Sequence, residues 1–151
     1  MKVAIGADHA GFDLKGEITA WLESQGHQVS DVGSYQMDPN DDYPDFAVAV
    51  AGSVLSGDTE RGIVICGSGV GASITANKVQ GIRACLCHDS YTARQGVEHD
   101  NMNVICIGGR VIGIELTKVV LEAFLDASFI QEARFQRRLD KLIQVEKNGL
   151  A

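Results

Sequence analysis

Gly62-Ile63-Val64-Ile65-Cys66-Gly67-Ser68-Gly69-Val70-Gly71-Ala72 decides the fold. Its first five residues are an apolar run too short for a helix and bounded by a glycine turn, the pattern of a strand covered on both faces. The turn leads straight into a stretch of helical period that reaches about Lys78. A buried strand followed at once by a helix is one unit of a parallel sheet with crossover helices. Working outward, the same alternation recurs. Lys2 to Gly6 reads as a first strand, and Phe12, Ile18, Ala20, Trp21 and Leu22 line one side of a helix that stops at Gly26. Gln28 to Val32 reads as a second strand. The polar stretch Gly33 to Asp42 follows, and then a helix opened by Pro44 and ended at Gly57.

Beyond the central unit, Ile82 to Cys87 and Asn103 to Ile107 read as strands four and five. Gly113 to Asp126 and Gln131 to Lys147 read as helices with apolar stripes. The expected fold is α/β: an open, mainly parallel five-stranded sheet with helices on both faces (Rossmann-like), plus a C-terminal helix, in one domain spanning 1–151. In such sheets ligands bind beyond the carboxyl ends of the strands. That rule directs attention to Asp8 to Gly11, Gly33 to Tyr43, Cys66 to Gly71, His88-Asp89 and Gly108 to Arg110.

Composition narrows the function. The 151 residues carry 13 basic and 20 acidic side chains, a net charge of −7, so a general electrostatic grip on nucleic acid or on an anionic membrane is not expected. Any anion site must be a local basic cluster. The start MKVAIGADHAGF lacks a signal-peptide core, and the expected location is the cytoplasm. Cys66, Cys85, Cys87 and Cys106 lie in or beside apolar runs without metal or redox spacing, so free and mostly buried thiols are expected, and no metal.

Cys66 stands apart from the other three, which read as buried strand cysteines. A thiol at a strand end against a helix start can be partly thiolate, a base or nucleophile, while nearby amides hold a developing oxyanion. Gly67, Gly69 and Ala72 also fit G-x-G-x-x-A, with Asp89 where a ribose-binding acid would lie, although the turn follows the third strand and not the first. No Walker-type phosphate loop is present. Asp8-His9 follows the first strand, and His99 ends a helical stretch before the fifth, so both histidines are expected at the active edge; a capping or solvated role is the other reading. His27 and His88 show no special placement. Arg110, Arg134 and Arg138 form an anion-binding theme, with Arg137 and Lys141 on a solvated face.

Several motifs together resemble the ribose-5-phosphate isomerase B family, which also includes allose-6-phosphate and galactose-6-phosphate isomerases. They are G-A-D-H-A-G (6–11), D-Y-P (42–44), I-C-G-S-G-V-G (65–71), A-N-K (76–78), G-I-R (81–83), E-H (98–99) before N-V (103–104), G-G-R-V-I-G-x-E (108–115) and R-x-x-R-R (134–138). The resemblance implies a cofactor-free aldose–ketose isomerase acting on ribose 5-phosphate through an enediolate. It suggests Cys66 as the base at C2, Ser68 as the hydroxyl assisting proton movement between oxygens, and His99 as the ring-opening group. It places the phosphate on His9, Arg110, Arg134 and Arg138, and the sugar on Asp8 and Tyr43. The amides of Gly67, Gly69, Val70 and Gly71 would hold the enediolate. It further implies a homodimer with shared sites, a tetramer being the next assembly. Three departures stand out: Ser68 replaces a frequent threonine, Asp100 brings a carboxylate where an amide is usual, and Glu132-Ala133-Arg134-Phe135 replaces G-G-R-H. The alternatives are a hexose 6-phosphate isomerase, a non-catalytic phosphosugar or nucleotide sensor, and a redox thiol protein.

Overall fold

Period-two alternation along the central strand sets the architecture. In the computed structural model, which describes residues 1–149, Ile63 and Ile65 face one core while Val64 and Cys66 face another. Strands β1 (Lys2–Ala7), β2 (Gln28–Asp31), β3 (Arg61–Cys66), β4 (Ala84–Leu86) and β5 (Val104–Gly108) alternate with helices α1 (Phe12–Ser24), α2 (Tyr43–Leu55), α3 (Val70–Ala76), α4 (Ser90–Asp100) and α5 (Ile114–Asp126). Helix α6 (Ala133–Asn148) follows. The sheet order is β2-β1-β3-β5-β4, and every pairing is parallel, not merely most of them.

Helices α1, α4 and α5 cover one face through Ile18, Leu22, Ala93, Val97, Val120, Leu121 and Phe124. Helices α2 and α3 cover the other through Ala47, Val50, Ala51, Ala72 and Ala76. Each fully buried branched or aromatic side chain contributes roughly 1.5–3 kcal/mol relative to exposure. Gly62 carries no Cβ because Val50 of α2 occupies that space, which lets α2 lie close on β3. Helix α6 docks on α4 through Phe135 and Leu139. Among the described residues, no helix is long and apolar enough to cross a membrane.

Two expectations need correction. The fourth strand is shorter than Ile82 to Cys87, because side chains satisfy its entry: Asn103 Oδ1 accepts the Arg83 amide at 2.8 Å and Asn77 Oδ1 the Ala84 amide at 2.9 Å. The Ile82 amide closes a turn onto the Val79 carbonyl. Cys85 is exposed while Cys66, Cys87 and Cys106 are buried, since β4 is an edge strand with one face incompletely covered.

Candidate active site

Connections from β1 and β3 leave in opposite directions across the sheet, so a crevice opens between their carboxyl ends. Cys66 ends β3 there, 3% exposed, pointing to the α3 side. Its Sγ accepts the Gly69 N–H at 3.1 Å, and Ser68 Oγ accepts the Val70 N–H at 3.3 Å. Gly69 has φ +79°, and this left-handed turn aims its amide back at the sulfur. The exit of β5 is laced to the same turn: Gly109 N–H donates to the Cys66 carbonyl at 2.8 Å and Arg110 N–H to the Gly67 carbonyl at 3.0 Å. Arg110 is thereby held against the thiol turn.

From β1, Asp8 is buried, and its Oδ1 accepts the Ala10 and Gly11 amides at 2.9 and 3.2 Å. Burial pushes its carboxyl above the usual range, against the opposing pull of those amides and of His9. Gly11 has no room for a side chain, because a Cβ would strike the Ile65 carbonyl. Tyr43 opens α2, and its ring occupies the place a Cβ on Gly71 would take. The result is a cavity of about 460 Å³ lined by Asp8, His9, Tyr43, Cys66, Gly67, Ser68, Gly71 and Arg110, with Ala10 and Val111. A weakly acidic thiol, a hydroxyl, a carboxylate, two cationic side chains and a glycine turn thus surround one space. That set can move a proton at carbon and hold an anionic ester. Of the expected turn residues, Gly69 and Val70 do not line this space, and their amides are directed to Cys66 and Ser68.

His99, Asp100, Arg134 and Arg138 lie elsewhere. Helix α4 leaves the carboxyl end of β4 and runs back across the sheet for 11 residues, about 16 Å. His99, in its last turn, therefore sits toward the opposite edge and not at the active edge expected for it. There it stacks on Phe135 with ring centroids 4.2 Å apart. The Arg134 and Arg138 guanidinium carbons lie 4.3 and 5.9 Å from the same ring, and Arg134 pairs with Glu132 at 3.0 Å. Asp100 lines a separate groove of about 800 Å³ with Arg83, Cys85, Met102, Leu142 and Val145. One chain thus holds two clusters.

Two residues escaped sequence reasoning. Asp41 holds His9 through two hydrogen bonds. His88, set aside as ordinary, accepts the Gly108 N–H on Nε2 at 2.9 Å and steadies the β5 exit. Only its place just after a strand marked His88, while nothing singled out one carboxylate in the polar loop before Tyr43. Asp89, the ribose-binding candidate of a dinucleotide reading, is spent as the cap of α4, where it accepts the Thr92 amide at 2.8 Å and hydroxyl at 2.7 Å. Among the described residues, no group of three His, Cys, Asp or Glu side chains is arranged to hold a metal ion.

Residues 3–142 match the Ribose/Galactose Isomerase family. The chain is 42% identical over 146 residues to ribose-5-phosphate isomerase B of Escherichia coli, covering 97% of both. It is 47% identical over 132 residues to D-erythrulose-4-phosphate isomerase of Pectobacterium atrosepticum, covering 85% of both. The structure of ribose-5-phosphate isomerase B from Mycoplasma genitalium with bound ribulose 5-phosphate superposes with a TM-score of 0.90 at 41% identity, over 97% of each chain. On this likeness, which runs through both the strand-end crevice and the helix that carries the arginines, the chain belongs to the ribose/galactose isomerase family.

Proposed function

We propose that the protein is a cofactor-free aldose–ketose isomerase that interconverts ribose 5-phosphate and ribulose 5-phosphate in the cytoplasm. The observation that carries this reading is the Cys66 thiol at a strand end, bonded to the Gly69 amide and facing a cavity shared with Ser68, Asp8, His9 and Arg110. In the forward direction the Cys66 thiolate takes the C2 proton of the open-chain aldose, and the electrons move to O1 to give an enediolate. The Ser68 hydroxyl assists the proton exchange between O1 and O2. The Cys66 thiol then returns its proton to C1, so atoms and charge balance. Amides of the turn residues that line the cavity, Gly67, Ser68 and Gly71, stabilise the enediolate, while those of Gly69 and Val70 hold Cys66 and Ser68. Asp8 and Tyr43 contact the sugar, and His9 with Arg110 contacts the phosphate.

The remaining residues require a second copy of the chain. His99, as ring-opening group, and Arg134 and Arg138, as further phosphate ligands, lie outside the Cys66 cavity, as does Asp100, expected to contact the substrate. In a homodimer each site takes Cys66 from one protomer and the α4–α6 cluster from the other. Exposed apolar residues on α3 (Val70, Ile74) and α6 (Leu142, Val145) support a subunit contact. Four free cysteines accord with a reducing compartment.

The relative from Pectobacterium favours a second reading, a four-carbon sugar phosphate. A tetrose phosphorylated at O4 cannot close a furanose ring and makes no use of a ring-opening group. Proton NMR in deuterated water, with ribose 5-phosphate and D-erythrulose 4-phosphate in parallel, decides. The pentose reading requires deuterium at C2 of recovered ribose 5-phosphate and the larger kcat/KM for that sugar. A larger kcat/KM for the tetrulose phosphate establishes the second reading, and exchange with neither sugar overturns both.

A further inference from the structure

We infer that Asp41 sets both the orientation and the charge of His9, and thereby the grip of the chain on its substrate's phosphate; the inference rests on the isomerase reading for the identity of that substrate. Asp41 Oδ1 accepts from His9 twice, from the backbone N–H at 2.9 Å and from ring Nδ1 at 2.7 Å. The carboxylate is nearly buried, with 10% of its side chain exposed against 32% for His9. Its Oδ2 is enclosed without any hydrogen-bond partner. Among the described residues, no lysine or arginine pairs with it, so the imidazole is its sole cationic neighbour in hydrogen-bond reach.

The chemistry of the ring turns this geometry into a requirement. With Nδ1–H committed to Asp41, a neutral imidazole presents only the lone pair of Nε2. A phosphate ester dianion offers acceptors alone, and a lone pair facing it repels. His9 can therefore bind phosphate through Nε2 only as the imidazolium, with both nitrogens protonated. Asp41 supplies that state as well as the angle. Its hydrogen bond is the largest influence raising the His9 pKa, partial desolvation opposes it, and the charges of Asp8 and Asp41 add to the rise while Arg110 lowers it. The other titratable groups lining the same cavity are Tyr43 and Cys66.

A purely mechanical role, stapling the 33–42 loop to the end of β1, is the competing account. Asp41→Asn separates the two, because the amide oxygen can accept both His9 hydrogen bonds but carries no charge. Histidine side-chain NMR titrations of the wild type and Asp41→Asn, together with inorganic phosphate binding from pH 5.5 to 8.5, test the inference without turnover. The expected result is a wild-type His9 midpoint above the ordinary value of about 6.5 and a lower one in the variant. Phosphate binding by the variant should match the wild type near pH 5.5 and fall below it, by up to about tenfold, in the window between the two measured His9 midpoints, roughly one charge-assisted hydrogen bond. The KM for ribose 5-phosphate should follow the same profile, with kcat retained. A wild-type midpoint at or below 6.5 overturns the inference even if the variant does not fold. So does an equal midpoint in both proteins, or a loss of phosphate affinity that is the same at every pH. Absence of isomerase activity overturns the functional reading and leaves the titration and phosphate results to stand or fall separately.

Discussion

Replacing Cys66 by alanine removes one buried sulfur and the acceptor of the Gly69 amide, and leaves the backbone contacts of the turn in place. The sulfur borders an open cavity, so water can fill the space, and the loss of its packing and hydrogen bond costs about 1–2 kcal/mol. Against a total stability on the order of 5–15 kcal/mol the variant folds, with a Tm lowered by about 3–8 °C. The kinetic cost is far larger. A positioned general base contributes roughly 10²–10⁴-fold, so kcat should fall by at least that range while the affinity for ribose 5-phosphate stays within about threefold. Cys66→Ser sharpens the test: its hydroxyl still accepts from Gly69 but is far too weakly acidic to serve as base at neutral pH. It should be nearly as inactive as Cys66→Ala and more stable. Turnover, C2 deuterium exchange and thermal melts on the same preparations give all three quantities. If Cys66→Ala keeps more than about a tenth of the wild-type rate, or if the serine variant turns over normally, the base is another group.

Burial raises the Asp8 pKa, so the folded chain holds that proton more tightly than the unfolded chain, and stability falls as pH rises from the usual carboxylate value through the raised one. Asp8→Asn keeps an acceptor for the Ala10 and Gly11 amides without the charge; it should match the wild type in Tm at low pH, exceed it near neutrality and lose activity, and a Tm difference independent of pH would refute this. Mixing unfolded Cys66→Ala and Arg138→Ala chains and refolding them together should recover about a quarter of wild-type activity, since half of the random dimers would carry one intact shared site. No recovery would place both residues in one protomer's site.

Apolarity announced the central strand because β3 is covered on both faces, and the same signal located the other strands and the helices α1, α2, α3 and α5, whereas α4 was noted only as a helical stretch ending at His99. It overextended β4 for a physical reason. Ile82 is buried as firmly as any strand residue, yet its amide closes a turn, so hydrophobicity reports burial and not ladder pairing. Cys85 misled in the opposite sense, since an apolar neighbourhood in sequence does not reveal that its strand lies at the edge. That the residues just after β1, β3 and β5 gather at one cavity was legible, because parallel topology brings strand ends together whatever their separation along the chain. His99 was misplaced because nearness in sequence to β5 hid the direction of travel: a crossover helix that begins at the active edge must end at the other. Asp41 was invisible because a carboxylate returning from a polar loop follows no periodicity.

The charges at the crevice support the proposal that a second copy of this chain, whose net charge is −7, completes the site. Asp8 lines the cavity and Asp41 supports His9, giving two carboxylates against Arg110 and a protonated His9. Those four groups sum to about zero, so a phosphate dianion entering the cavity would meet no excess of positive charge, inside a field already unfavourable to anions. Dispensing with the carboxylates is no remedy, since Asp41 favours the cationic form of His9 and Asp8 organises the Ala10 and Gly11 amides. Positive charge must come from outside the crevice. Arg134 and Arg138 are held on α6 by the ring of Phe135, itself packed on His99, and they form a preoriented basic pair of which Arg134 also holds Glu132. In the proposed dimer, bringing that pair to the crevice of a second copy, together with the Glu132 carboxylate that Arg134 holds, would raise the local charge by about one and deliver His99 in the same step. If the chain pairs as proposed, subunit association would supply the phosphate site itself, with Phe135 as the platform that presents both arginines.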